Sequence, residues 1–489
     1  MKIKFCLWVL LLCFPAIFSV AAQAQDGVPF FTNDFPPQEF AERRAKIFDA
    51  LGENAVALIQ GAPSPAGYAR FRQTNEFYYL CGIESPHAYL LLDGRVRRAF
   101  LYLPHRNEAR ERGEGKVLSA EDAELIKQLS GIDSVFASDA LSEHLARYAQ
   151  SGRETKLFTP FSPSEGMATS RDSAIRAVAD ITSDSWDGSP SREGHFINLI
   201  RTRFPQFEIK DLTPTLDRLR LIKSPREIAL IKKATRLSGL ALMEAMRSTV
   251  PGIQESELDA VAKYIYYRNG AQGDAYYSLI ASASNAWYPH YNAGKRVMRD
   301  GDFLLMDYAP DVGYYMSDVT RMFPVNGKFN NWQRELYGFY LDCYQAILKN
   351  IKPGLTPQQI KQAALKEMNQ ALAKARFSKP IYEKAAREFV ENYASSAKSA
   401  RTSLGHWIGM ATHDVGGYDG SPLREGMVFS IEPALRVEEE KIYIRLEDVI
   451  VITKTGADIL TTFVPMEIDE IEKLMREDGM LQRYPKDKN

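Results

Sequence analysis

The sequence is short of several things, and each shortage closes off a class of protein. Only 4 cysteines occur in 489 residues, and none is spaced C-x-x-C. Neither a disulfide-stapled fold nor a cysteine zinc site is therefore expected. Charge of one sign is not in excess: 61 Lys and Arg stand against 62 Asp and Glu, a net −1 at pH 7. That balance gives no electrostatic reason to bind nucleic acid, and no charge block marks an acidic tail. Beyond Val20 no run is long and apolar enough to cross a membrane. Histidine is scarce as well, with 7 in the chain, so the position of each one is informative.

What remains is ordinary globular material, 45% hydrophobic, 11% aromatic and 25% charged. At roughly 100–200 residues per domain, two domains are expected and three are possible. The first stretch reads separately. Lys2 and Lys4 precede an apolar run from Phe5 to Val20, and Ala22-Gln23-Ala24 has the small-x-small pattern of a cleavage site. Residues 1–24 are expected to be a secretory signal peptide, giving a secreted or periplasmic protein with no membrane contact after cleavage. Cys6 and Cys13 would leave with it. Cys81 and Cys343 remain, and two buried free thiols are the expected reading.

Residues 25–218 read as a mixed α/β domain. Ala55 to Ile59 and Ala88 to Leu92 are short apolar runs bounded by Gly, Pro and Asp, which predicts strands. Ser119 to Ser130 reads as a helix, and the Ser, Asp, Gly and Pro between Thr182 and Gly194 as a surface loop. Ser224, Pro225 and Glu227 then form an N-cap, first-position proline and third-position acid that open a long helix. The second domain, 219–489, alternates helices with hairpins. It also carries an internal repeat. Arg299-Asp-Gly-Asp-Phe-Leu-Leu-Met-Asp307 matches Arg424-Glu-Gly-Met-Val-Phe-Ser-Ile-Glu432: a Gly turn, an apolar strand, and a carboxylate at its end. Two related halves facing one another are expected.

A hairpin centred on Val312 and Gly313 would set Asp307 opposite Asp318. One centred on Glu439 and Glu440 would set Glu432 opposite Glu447. Facing carboxylates on apolar strands repel unless they share a proton or a cation. An acid pair sharing a proton needs two carboxylates; four suggest about two divalent cations. Of the histidines, only His290, His406 and His413 lie in the second domain, each just before a carboxylate hairpin. One imidazole with four carboxylates is an oxygen-rich donor set that suits Mn²⁺, Co²⁺ or Zn²⁺.

These residues resemble the pita-bread metallopeptidases, in the aminopeptidase P and prolidase branch. The likeness runs through Ser317-Asp-Val-Thr-Arg-Met-Phe-Pro-Val325, His290-Tyr291 and, in the first domain, Phe71-Arg-Gln-Thr-Asn-Glu-Phe-Tyr-Tyr-Leu80. It implies a creatinase-like N-terminal domain followed by a pseudo-two-fold catalytic domain. It further implies Asp307, Asp318, His406, Glu432 and Glu447 as ligands of two metal ions, manganese first, with zinc or cobalt as options. His290, His413 and Glu432 become the catalytic groups, and Arg445 lies beside the substrate. The substrate would be a peptide with proline at its second position, and the chain a homo-oligomer, dimer or larger. The implied activity is an Xaa-Pro aminopeptidase, with an Xaa-Pro dipeptidase or a metal-retaining inactive binding protein as alternatives. Retention of all five ligands argues against a metal-free creatinase-like relative. Two positions depart from the family pattern. Thr402 stands where a histidine is frequent and Arg436 where a tyrosine is frequent. Arg436, on the strand face of Glu432, would reach the cleft and favour an anionic substrate. Trp287, Tyr288, Tyr291 and Trp407 are either walls of a proline pocket or core residues.

Overall fold

The structure is a computed structural model in which residues 33–150 and 155–484 are described. The expected leader lies outside them. Among the described residues, the first domain is built on one six-stranded sheet: β1 (Ala55–Gln60), β2 (Tyr89–Asp93), β3 (Arg98–Leu103), β4 (Ser134–Ala137), β5 (Lys156–Thr159) and β6 (Glu208–Asp211), in the order β4-β3-β2-β1-β5-β6. The pairs β1–β2 and β2–β3 are antiparallel; β3–β4, β1–β5 and β5–β6 are parallel. Both faces are covered, which is why β2 reads as an unbroken apolar run. Ala57, Ile59, Leu90 and Leu92 face the large core shared with the second domain. Val56, Leu58 and Leu91 face the opposite side, under Leu141, Leu145 and Ile200.

The interval between Thr182 and Gly194 holds less loop than expected. One helix runs over Arg171–Ser183 and the next starts at Arg192. Only Ala174 of the first is buried, and its apolar residues Ile175 and Ile181 stand exposed instead of packing on a core. The long helix Pro225–Ser248 starts as expected. The Glu227 N–H donates to Ser224 Oγ at 3.3 Å, and the Ser224 N–H donates to Glu227 Oε2 at 2.8 Å. Such a cap contributes about 1 kcal/mol.

The second domain follows with β7 (Gly273–Asp274), β8 (Leu279–Ser282), β9 (Phe303–Asp307), β10 (Pro310–Asp311) and β11 (Thr320–Pro324). Helices Asn331–Asn350, Pro357–Lys374 and Pro380–Ser396 come next. The chain then returns with β12 (Val428–Ile431), β13 (Ala434–Val437), β14 (Ile442–Arg445), β15 (Asp448–Ile452) and β16 (Ala457–Ile459). One half carries the antiparallel sheet β11-β9-β8 and the other β12-β15-β16. The repeat is visible in the backbone. Gly301 and Gly426 open β9 and β12 with φ of 81° and 85°, the left-handed region that glycine enters without strain.

The first hairpin differs from the expected register. Asp307 pairs with Thr320, not Asp318. Gly313 and Tyr314, at φ of 58° and 73°, form the turn one residue later than expected, and Val312 bridges Tyr315. A two-residue shift keeps side chains on the same face, so Asp318 still looks towards Asp307. The second hairpin keeps the expected register: Ile431 pairs with Asp448 and Ala434 with Arg445. Its strands are interrupted at Glu432-Pro433 and Leu446-Glu447, since proline has no N–H for the ladder. Glu432 and Glu447 sit in that gap. The halves meet there. Thr320 and Glu447 exchange backbone hydrogen bonds of 3.3 and 3.1 Å, and fully buried Arg321 pairs with Asp448 at 2.7 Å.

Candidate metal centre

The hairpins bring the five sequence-predicted ligands together. Ligand atoms of Asp307, Asp318 and Glu447 lie within 4.8 Å of one another, as do those of His406, Glu432 and Glu447. His406 Nε2 is 3.4 Å from Asp318, 3.4 Å from Glu432 and 3.5 Å from Glu447. The histidine is placed by an added edge pairing: the Ser430 N–H donates to the His406 carbonyl at 2.9 Å, and the Ile408 N–H to Val428 at 3.0 Å. Gly405 makes the approach possible, because a Cβ there would stand 2.0 Å from the Ser430 carbonyl oxygen.

Several partners of the cluster are not conspicuous in the sequence. The Tyr276 hydroxyl meets Asp307 at 2.5 Å and Asp318 at 2.7 Å. The Thr320 hydroxyl donates to Glu447 Oε2 at 2.9 Å, and Ser430 Oγ lies 2.9 Å from His406 Nε2. Thr320 follows Asp318 at strand period two and could have been found that way. Tyr276 precedes β8 in a Tyr-Tyr pair with no local sign of its partners.

The electrostatics call for a cation. Burial, then Glu447 and Asp307, hold Asp318 far above the ordinary carboxylate range. Burial and Glu432 push Glu447 up as well. Burial opposes charge on His406, yet Asp318, Glu447 and Glu432 keep its imidazole well above the usual range. Glu432 goes the other way: burial works to raise it, but Arg445 and the two histidines hold it down. Arg445 is the one guanidinium in the group, donating to Glu432 Oε2 at 2.8 Å and pairing with Asp307. Glu447 Oε1 is buried with no hydrogen-bond partner. An unpartnered carboxylate oxygen inside a ring of oxygen and nitrogen donors fits a divalent metal, which would take the place of the missing protons and partners.

Beside the cluster is a cavity of about 170 Å³ lined by Asp307, Asp318, Glu432, Arg445, His290 and His413, among others. His290 is exposed on its wall. The His413 ring lies 4.0 Å from that of His406, and its ligand atom groups with those of Asp318 and His406. Burial and the neighbouring His406 push its pKa down to about 4. Arg436 is outside the lining. Its guanidinium stacks over Tyr443 at 4.8 Å and Trp287 at 5.3 Å, which turns it along the strand instead of into the cavity. Thr402 is also elsewhere, accepting from Lys361 Nζ at 2.9 Å. Trp407 is buried against Tyr418, and none of Trp287, Tyr288, Tyr291 and Trp407 lines the cavity. Cys81 and Cys343 are free and buried.

A two-domain α/β chain with this donor set at the junction of two related halves is a metallopeptidase. Residues 229–454 match Metallopeptidase family M24, and residues 40–158 match Aminopeptidase P, N-terminal domain. The chain belongs to the pita-bread Xaa-Pro aminopeptidase family. It is 30% identical to an Xaa-Pro aminopeptidase of Haemophilus influenzae over 90% of this chain and 97% of the relative. It is also 30% identical to the Xaa-Pro aminopeptidase of Escherichia coli, over 91% and 98%. The solved structure of E. coli aminopeptidase P with the inhibitor Pro-Leu superimposes with a TM-score of 0.71, at 27% identity over 90% of this chain and 98% of that one.

Proposed function

We propose that this chain is a dinuclear-metal aminopeptidase that hydrolyses the bond between an N-terminal residue and a following proline. The observation that carries this reading is the convergence of Asp307, Asp318, His406, Glu432 and Glu447, with one buried carboxylate oxygen left unpartnered, beside a cavity of about 170 Å³. The Xaa-Pro aminopeptidases among its relatives support the substrate class. Four carboxylates balance two divalent cations, and manganese suits this hard donor set. A zinc-substituted E. coli aminopeptidase P among the structural relatives supports zinc as a substitute, and cobalt is a further option. When bound, such ions act as Lewis acids on the scissile carbonyl and lower the pKa of water.

The protein's own groups do the rest. Glu432 has the most exposed side chain of the four carboxylates, at 29%. It is placed to take a proton from the attacking water and pass it to the leaving proline nitrogen. Arg445 holds Glu432 and Asp307 in place. His290 and His413, on the cavity wall, hydrogen-bond to substrate where charge develops. A bond before proline is a tertiary amide with no N–H, so recognition must rest on the shape of the ring.

The test is incubation of Mn²⁺-loaded protein with matched Xaa-Pro and Xaa-Pro-Yaa peptides, with products read by mass. Release of Xaa from the tripeptide is the expected result. Cleavage of the dipeptide alone would make the chain a dipeptidase, and intact peptides with metal bound would make it a binding protein. We further place the domain boundary between residues 218 and 219 and read residues 1–24 as an export leader. N-terminal sequencing of the protein from its own host checks the second point.

A further inference from the structure

The cavity is not made by the second domain alone. Ala168, Ser170, Asp172, Ser173 and Arg176 of the first domain form its opposite wall. They lie at the start of the helix Arg171–Ser183, between the two stretches that match the family models. Two contacts tie this wall to His413. The His413 N–H donates to Ser170 Oγ at 3.0 Å, and His413 Nδ1 lies 3.4 Å from Asp172 Oδ2. Arg176 donates to the same carboxylate at 3.0 Å.

We propose that Asp172 is a positioning residue for His413, supplied by the first domain across the junction. With Nδ1 turned to a carboxylate, Nε2 is the nitrogen left to act in the cavity. A carboxylate in that place fixes the orientation and tautomer of the ring. The geometry is held from both sides. Arg171, the residue before Asp172, bonds Glu76 and Glu165 at 2.5 Å each. Arg220 joins Glu165 at 2.9 Å to Asp414, the residue after His413, at 2.7 Å. Helix start and histidine loop are therefore referenced to one buried charge cluster. Because Arg171 and Ser170 anchor the helix, the half-exposed Asp172 side chain is not needed to hold it there.

This inference rests on the Xaa-Pro reading, and its test separates the two. Metal-loaded full-length enzyme is assayed on an Xaa-Pro-Yaa peptide as wild type, Asp172→Asn, Asp172→Glu, His413→Ala and the His413→Ala/Asp172→Asn double variant. In Asp172→Asn, kcat should fall roughly 10–100-fold while metal content and circular dichroism stay at wild-type values. KM should change by no more than about twofold, and Asp172→Glu should recover part of the loss. In the His413→Ala background the Asn substitution should add nothing, since its only route of action is gone. Equal losses in both backgrounds would show that Asp172 acts independently of His413 and overturn the proposal. So would a wild-type kcat in Asp172→Asn. A wild-type enzyme that leaves every peptide intact overturns the peptidase reading and this proposal with it.

Discussion

At the domain junction Glu76, Glu165 and Asp414 are met by Arg171, Arg220 and Lys223, with ion pairs of 2.5 to 3.3 Å. In the metal cavity Asp307, Asp318, Glu432 and Glu447 share one guanidinium, that of Arg445. Both groups are buried, and both grip the loop from His406 to Asp414. The junction neutralises its own charge and serves as a frame. The cavity does not: four acids meet one guanidinium and the His406 imidazole, and burial with like charges alongside pushes Asp318 and Glu447 up in pKa. The difference teaches how to tell a structural charge cluster from a cation site: by whether the protein supplies the countercharge.

The comparison can be broken at its strongest point first. Asp318→Ala should lower kcat/KM by ~10⁴-fold, the scale of losing a member of a catalytic group, with metal content reduced and the fold retained. Elemental analysis and circular dichroism check it; unchanged metal content would remove Asp318 from the site. On the frame side, Arg220→Met leaves Glu165 and Asp414 short of a partner, at a cost of about 3–5 kcal/mol in stability. Urea unfolding should show that loss equally with and without Mn²⁺. A chelator should do the converse. It should destabilise the wild type by about 2.7 kcal/mol relative to protein held at 100 times its metal dissociation constant, and leave Asp318→Ala unmoved.

A smaller effect sharpens the frame itself. Burial and Glu165 raise Glu76 to about 7 from an ordinary value of 4.5. A raised folded-state carboxyl binds its proton more tightly in the native state. Its stabilisation is full below pH 4.5 and is lost as pH rises towards 7. Glu76→Gln should flatten the decline in stability across that window in a series of denaturant titrations. The smallest effect concerns Arg436. Stacked outside the cavity, it should have no part in selection, and Arg436→Tyr should leave the ratio of kcat/KM for acidic and basic peptides within about twofold.

Much of the centre was legible because its residues repeat. A Gly turn, an apolar strand and a terminal acid occur twice, and the family resemblance carries the reading on to Arg445. The register of the first hairpin was misread by two residues, yet its acids were found, since such a shift preserves the face. Arg436 was placed on the correct strand, but whether its long side chain enters the cleft depends on Trp287, distant in sequence. The loop expected from Thr182 to Gly194 took in the last two residues of the helix Arg171–Ser183, whose C-terminal turns are exposed and packed on no core.

The sequence by itself determined the types and order of the candidate ligand residues, the two related halves and the N-cap at Ser224, all of which depend on local pattern, spacing or motif. Only the tertiary structure decided that Tyr276 spans Asp307 and Asp318, and that the first domain reaches the cavity through Ser170 and Asp172. It also decided that the junction acids meet as many bases, while the four acids of the cavity share the guanidinium of Arg445. These are contacts between residues far apart in the chain. No periodicity records them, because their energy depends on burial and on the countercharges that folding brings alongside.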